Sequence, residues 1–216
     1  MDLPLILPKR TDYQAYLYDC DGTLADTMPL HYQAWVAEMF ARGVTLDASK
    51  IVDLIHELAG MPAEKVIAEL NHRYGTKVDA HLAAEAKEER FVREYLHLVK
   101  PILPVFEHLM ANRDRAKIGV VSGGRKSVVE KTLAVIGVLQ YVEVIVASED
   151  VVHGKPAPDP FLLAAQKLNV APKDCLVFED GELGIQSAKA AGMDWVKIET
   201  PPRSTDHVVT MEKPSK

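Results

Sequence analysis

Apolar residues fall along this chain in two rhythms. Short, nearly continuous runs occur at 15–19 (AYLYD), 117–122 (KIGVVS), 142–147 (VEVIVA), 174–179 (DCLVFE) and 194–198 (DWVKI). A strand reads this way when both faces of its sheet are covered. Between the last four runs, apolar positions return every three to four residues, which predicts helices over 126–136, 159–168 and 182–191. Pro160 suits the first turn of the second of these, and Gly192 marks the end of the third. Strand–helix–strand repetition predicts a parallel sheet with right-handed crossovers. Ligands of such sheets bind at the C-terminal ends of the strands.

The first and second runs lie about a hundred residues apart, and the interval holds only helical patterns. Residues 30–41 place Tyr32, Trp35, Val36, Met39 and Phe40 on one stripe. Ile51, Leu54, Ile55 and Leu58 form a second stripe, and Val66, Ile67 and Leu70 within 62–74 form a third. A fourth helix is predicted over 82–98, with Phe91, Val92, Tyr95 and Leu96. Four amphipathic helices with short loops suggest a small bundle. The predicted fold is therefore α/β: a Rossmann-like parallel-sheet core (1–27 and 99–216) interrupted by a four-helix cap (28–98). A helix over 104–113 returns the chain to the second strand, and the polar tail 201–216 is expected to be irregular.

Composition adds exclusions rather than chemistry. No run of ~18 apolar residues is present, so no membrane span is expected. The opening MDLPLILPKR fits neither a secretory signal nor a transit peptide. Cys20 and Cys175 make no disulfide framework, which points to a reducing cytoplasm. Twenty-five basic against 31 acidic residues give a net charge of −6 without a basic cluster, which argues against nucleic acid as a partner. Nothing in the sequence demands more than a monomer.

Candidate chemistry sits at the strand ends. Asp19-Cys20-Asp21-Gly22-Thr23-Leu24 begins where the first strand stops. Residues i and i+2 of an extended chain share a face, so Asp19 and Asp21 point together into the crevice while Cys20 points away. Two converging carboxylates repel unless a cation or a proton separates their roles. Alone, this motif serves equally well as a turn. Ser122-Gly123-Gly124 ends the second strand with a hydroxyl and mobile N–H donors suited to phosphate oxygens. Gly154-Lys155-Pro156-Ala157-Pro158-Asp159 follows the third and offers a lysine on a stiffened loop. Glu179-Asp180-Gly181 ends the fourth with carboxylates for a hard cation such as Mg²⁺. Each has an ordinary turn or loop reading by itself. Their arrival at one sheet edge is what those readings leave unexplained. The set suits phosphoryl transfer through a carboxylate nucleophile, with Mg²⁺ and a lysine cancelling the charge of the ester and a second carboxylate moving the proton.

The ordered set DxDGTL, Ser-Gly-Gly, GKPAPDPF and FEDGELGIQSAKAAGM resembles the haloacid dehalogenase-like hydrolases across residues 15–198, and the helical insert resembles that superfamily's C1-type cap. Within it, the last two motifs are similar to the β-phosphoglucomutase and sugar-phosphate phosphatase branch. The resemblance implies Asp19 as nucleophile, Asp21 as general acid/base, and Ser122 and Lys155 as phosphate contacts. Gly22, Thr23, Gly123 and Gly124 would surround the phosphate. It implies Mg²⁺ held by Asp19, Asp180 and the backbone carbonyl of Asp21, with Glu179 assisting. Thr27 and His31 resemble the branch's hinge, where a histidine couples cap closure to proton transfer. Trp35, one turn on, would wall the sugar site or pack within the cap. Leu58-Ala59-Gly60-Met61-Pro62-Ala63 resembles the cap loop that enters the active site, so Gly60 is a candidate contact. The mutases carry an arginine there, and the alignment puts Ala63 at that position. This departure favours the fructose-1-phosphate/6-phosphogluconate phosphatase type. Lys65 and Lys87 are candidate substitutes for the arginine, although each also reads as a solvated helix-face lysine, Lys87 within the run Lys87-Glu88-Glu89-Arg90. The expected activity is Mg²⁺-dependent hydrolysis of a small sugar phosphate. The competing readings are a β-phosphoglucomutase and, from another class, a phospho-accepting receiver module. A receiver needs neither Asp21 nor a cap of about 70 residues.

Overall fold

The computed structural model describes residues 5–58 and 61–199. Five strands, β1 (Ala15–Tyr18), β2 (Lys117–Val121), β3 (Val144–Val146), β4 (Cys175–Glu179) and β5 (Asp194–Lys197), form one sheet in the order β3-β2-β1-β4-β5. Every pairing is parallel.

The central strand explains why the sheet is covered on both sides. Tyr16, Tyr18 and Cys20 join a cluster with Val105 and Leu109 of helix α5 (Leu103–Asn112) and Val129 and Leu133 of α6 (Lys126–Val135). Ala15 and Leu17 join the opposite cluster with Phe161 and Leu168 of α7 (Asp159–Leu168) and Ala188 of α8 (Glu182–Ala190). The period of two therefore sends successive side chains into different helix layers. It also sends Cys20 away from Asp19 and Asp21. Fully buried apolar side chains on both faces are what remove the polar alternation from the sequence.

Between β1 and β2 the chain forms α1 (Met28–Ala41), α2 (Ala48–Glu57), α3 (Ala63–Tyr74) and α4 (Ala80–Arg90). These helices bury a cluster of their own, with Trp35, Met39, Ile51, Leu54, Ile67 and Leu70. Asp79 caps α4 by accepting from the Leu82 N–H at 2.9 Å. The helix expected over 82–98 is instead three pieces: α4, a π-turn at Phe91–Tyr95 and a 3₁₀ turn at Leu96–Leu98. The wider turn rotates the apolar stripe, so that Phe91 and Leu96 leave the bundle cluster and join that of the sheet. The two connections to this insert run side by side: Asp26 N–H donates to Lys100 O at 2.9 Å, Ile102 N–H to Leu24 O at 2.9 Å, and Ala25 and Pro101 form an antiparallel bridge.

No helix among the described residues is long and apolar enough to cross a membrane. The expectations for Gly60 and for the tail 201–216 lie outside the described residues.

Candidate active site

Ladder hydrogen bonds continue one residue beyond several strands and fix the chemistry-bearing positions. Asp19 N–H donates to Phe178 O at 2.9 Å, and Ser122 N–H donates to Val146 O at 2.9 Å. Gly22 then turns the chain at φ 89°, a left-handed conformation that favours glycine.

Lys155 is the electrostatic centre. Its ammonium donates to Asp19 Oδ1 at 2.7 Å, Glu179 Oε1 at 2.5 Å and Val121 O at 3.1 Å, and the side chain is buried. Burial lowers a lysine's pKa, but the two carboxylates outweigh it and hold the ammonium above its usual range. Asp19 is driven the other way. Burial first, and then the charges of Glu179, Asp180 and Asp21, push its carboxyl well above the usual carboxylate range, with Lys155 opposing. Asp19, Glu179 and Asp180 each offer a carboxylate oxygen, all within 4.8 Å of one another. An all-oxygen, multiply acidic set short of positive charge fits a hard divalent cation. Glu179 is already partnered on both oxygens, by Lys155 and by the Gly181 N–H at 2.8 Å.

Asp21 shares the cavity but not that cluster. Its Oδ1 accepts from the Thr27 hydroxyl at 2.7 Å and contacts His31 Nε2 at 3.2 Å. Burial works against ionisation here, yet His31, Thr27 and Lys87 more than offset it and hold the carboxyl below its usual range. Among the metal candidates, the Asp21 carboxylate is thus turned toward Thr27 and His31, which leaves only its backbone carbonyl on offer.

His31 is held in turn by Lys87, whose ammonium lies 3.0 Å from Nδ1. An ammonium only donates, so Nδ1 accepts and the Nε2–H is directed at Asp21. Phe91 stacks on His31 at 3.9 Å between ring centroids, and Lys87 sits 5.3 Å from the Trp35 ring centre. The solvated reading of Lys87 is therefore corrected: it is 4 % exposed, because α4 turns this residue toward α1 while Glu89 faces water. Phe91 was visible in the sequence only as part of a helical stripe. Its i, i+4 spacing from Lys87 is the signal that could have placed both beside one partner.

One cavity is lined by Asp19, Asp21, Ser122, Gly123, Gly124, Glu179 and Asp180 on the sheet side. Met28, His31, Trp35, Ile55, Leu58, Met61, Ala63, Val66 and Lys87 close it on the helical side. Ser122 Oγ accepts from the Gly124 N–H at 3.0 Å. Gly22 and Thr23 do not line it. Thr23 is buried behind the site, where its hydroxyl lies 3.3 Å from Asp180 Oδ1. Lys65 is exposed and lines a neighbouring cleft instead.

Comparisons with known proteins place the chain in a family. Residues 13–192 match the family described as haloacid dehalogenase-like hydrolase. Fructose-1-phosphate phosphatase YqaB of Escherichia coli is 36% identical over 189 residues, covering 86% of this chain and 96% of that protein. Beta-phosphoglucomutase of Bacillus subtilis is 31% identical over 191 residues, covering 83% and 80%. The structure of CbbY from Rhodobacter sphaeroides in complex with xylulose-(1,5)bisphosphate matches with a TM-score of 0.74 and 27% identity, covering 85% and 84%. The chain belongs to the haloacid dehalogenase-like hydrolases, in the branch that holds the sugar-phosphate phosphatases and β-phosphoglucomutases.

Proposed function

We propose that the chain is a phosphoric monoester hydrolase acting on small sugar phosphates through an aspartyl-phosphate on Asp19. The observation that carries this reading is the buried Lys155 bridge between Asp19 and Glu179, beside an Asp21 that is partnered separately by Thr27 and His31. Lys155 and the Ser122-Gly123-Gly124 turn supply positive charge and N–H donors where a phosphate dianion meets an attacking carboxylate. An Asp19 oxygen bonds to phosphorus as the bond from phosphorus to the sugar oxygen breaks, and Asp21 gives that oxygen a proton. Asp21 then takes a proton from the water that attacks phosphorus, and inorganic phosphate leaves with Asp19 restored. The incoming dianion raises the affinity of Asp21 for the first of these protons. Asp19, Asp180 and the Asp21 carbonyl would hold Mg²⁺, with Glu179 beside them. When bound, that ion neutralises charge on the transferring phosphoryl group.

Hydrolysis is favoured over isomerisation because Ala63 stands in the cavity wall where a mutase would present an arginine. No arginine lines that cavity among the described residues. The decisive experiment compares Asp19→Asn with the parent on fructose 1-phosphate and p-nitrophenyl phosphate. A loss of at least ~10³-fold in kcat is expected. Undiminished turnover would overturn the nucleophile assignment. Conversion of β-glucose 1-phosphate to glucose 6-phosphate with little phosphate release would overturn the choice of phosphatase.

A further inference from the structure

Beside the reacting cavity lies a second cleft between the sheet and the helical insert, and the two share Ala63, Glu88, Ser122, Gly123 and Gly124. Its rim carries Arg125, the residue directly after the Ser-Gly-Gly turn and the only arginine that lines either cavity among the described residues. The residue before it, Gly124, is close to the chemistry: a Cβ there would stand 3.6 Å from Asp21 Oδ2. By position Arg125 is the guanidinium available to grip a second anionic group on a substrate. It is already taken. Arg125 Nη1 donates to Glu85 Oε1 at 3.3 Å, and Nη2 lies 3.8 Å from Glu64 Oε1. His81 ties the same two carboxylates together, at 2.9 Å to Glu64 and 3.6 Å to Glu85.

We infer that Glu64 and Glu85 make Arg125 a specificity determinant, which withholds it from a second phosphate on the substrate, so that the enzyme takes sugar monophosphates and rejects sugar bisphosphates. The inference rests on the phosphatase reading and narrows its substrate class. The pairs are partly exposed, with side-chain exposures of 34%, 50% and 42% for Arg125, Glu64 and Glu85, so their strength is not the point. Their sign is. Two carboxylates facing one guanidinium leave this cluster no net positive charge for a second phosphate, and Lys65 is the exposed cation that remains on the cleft. An incoming dianion would have to displace both carboxylates and then lie beside them unpaired. The rest of the far wall offers Lys87, which is committed to His31, and apolar groups such as Met61, Val66, Ile55 and Trp35. A hydroxylated, uncharged sugar end meets no such penalty.

The test measures kcat/KM for fructose 1-phosphate and for fructose 1,6-bisphosphate, with Mg²⁺ present, in three proteins: the parent, Glu64→Gln/Glu85→Gln, and that pair combined with Arg125→Gln. The parent should prefer the monophosphate. The double variant should lose about tenfold or more of that preference through gain of the bisphosphate reaction, because Arg125 is freed. Adding Arg125→Gln should reverse the gain, an outcome that a merely structural role for the glutamates would not produce. A parent that accepts both esters equally, or a double variant with the parent's ratio, overturns the inference and leaves the phosphatase reading standing. Failure of the parent to hydrolyse either ester, together with failure of Asp19→Asn to bind either by calorimetry, overturns both.

Discussion

Gly184 stands so close to Glu179 that a Cβ built on it would lie 1.8 Å from Oε1 and 2.0 Å from Cδ. The first turn of α8 therefore packs its bare backbone against the carboxylate that holds Lys155. Gly184→Ala must push Glu179 off Lys155 or move α8. Kinetics should show kcat/KM falling by about 10–100-fold. Thermal melts should show a loss of about 1–3 kcal/mol. An unchanged variant on both counts would mean that Glu179 does not occupy this position.

Lys87→Met keeps the bulk of the side chain but removes the donor to His31 Nδ1. The Nε2–H is then no longer fixed toward Asp21, and proton transfer should suffer. We expect kcat to fall by about 10²-fold, within the range of general acid–base contributions, with a smaller effect on an ester whose leaving group needs no proton. Equal losses on fructose 1-phosphate and p-nitrophenyl phosphate would argue against this relay.

His108 gives a pH prediction independent of the site. Its ring packs against Tyr16 and Phe178, and Nδ1 lies 2.8 Å from the Tyr18 hydroxyl. Burial lowers its pKa to about 4. A histidine depressed in the folded state binds its proton more tightly when unfolded. Its contribution is therefore intact above its ordinary value of about 6.5 and is lost as pH falls toward 4. Between pH 7 and pH 4.5 the parent should lose roughly 1–2 kcal/mol that His108→Gln does not lose. Parallel denaturant titrations at the two pH values read the difference.

Chelation by EDTA should abolish turnover, and added Mg²⁺ should restore it. Because Asp19, Glu179 and Asp180 repel one another, the ion should also raise thermal stability, by about 2.7 kcal/mol at a hundredfold excess over Kd. Asp180→Asn should lose that stabilisation as well as activity. A melt indifferent to Mg²⁺ in the parent would count against the ligand set.

The sheet was legible because strands buried on both faces leave continuous apolar runs, and the ends of those runs located Asp19, Ser122, Lys155 and Glu179 near one edge. β3 is only Val144–Val146, shorter than the run that announced it, because Leu139–Tyr141 closes as a 3₁₀ turn just before it and the strand pairs on one side alone. Two things were hidden. The π-turn at Phe91–Tyr95 has no composition signal, since its residues suit an α-helix equally well. Which side of a charged run faces inward was also invisible at Lys87-Glu88-Glu89-Arg90, because the partner that draws Lys87 inside is His31, 56 residues earlier. Local periodicity reports burial among apolar residues. It does not report a buried cation whose partners come from elsewhere in the chain.

The bridge between Ala25 and Pro101 bears on how the molecule folds. The central strand β1 must find β2 and β4, about 100 and 160 residues further along, and such distant pairings slow folding through the entropy of closing long loops. Helices α1–α4 make mainly local contacts and bury their own cluster. Once they have collapsed, their two ends emerge side by side, and the long excursion between β1 and β2 shrinks to a short stalk. The insert would then serve as a splint for the sheet. Replacing it with a flexible linker of equal length should slow refolding far more than it speeds unfolding.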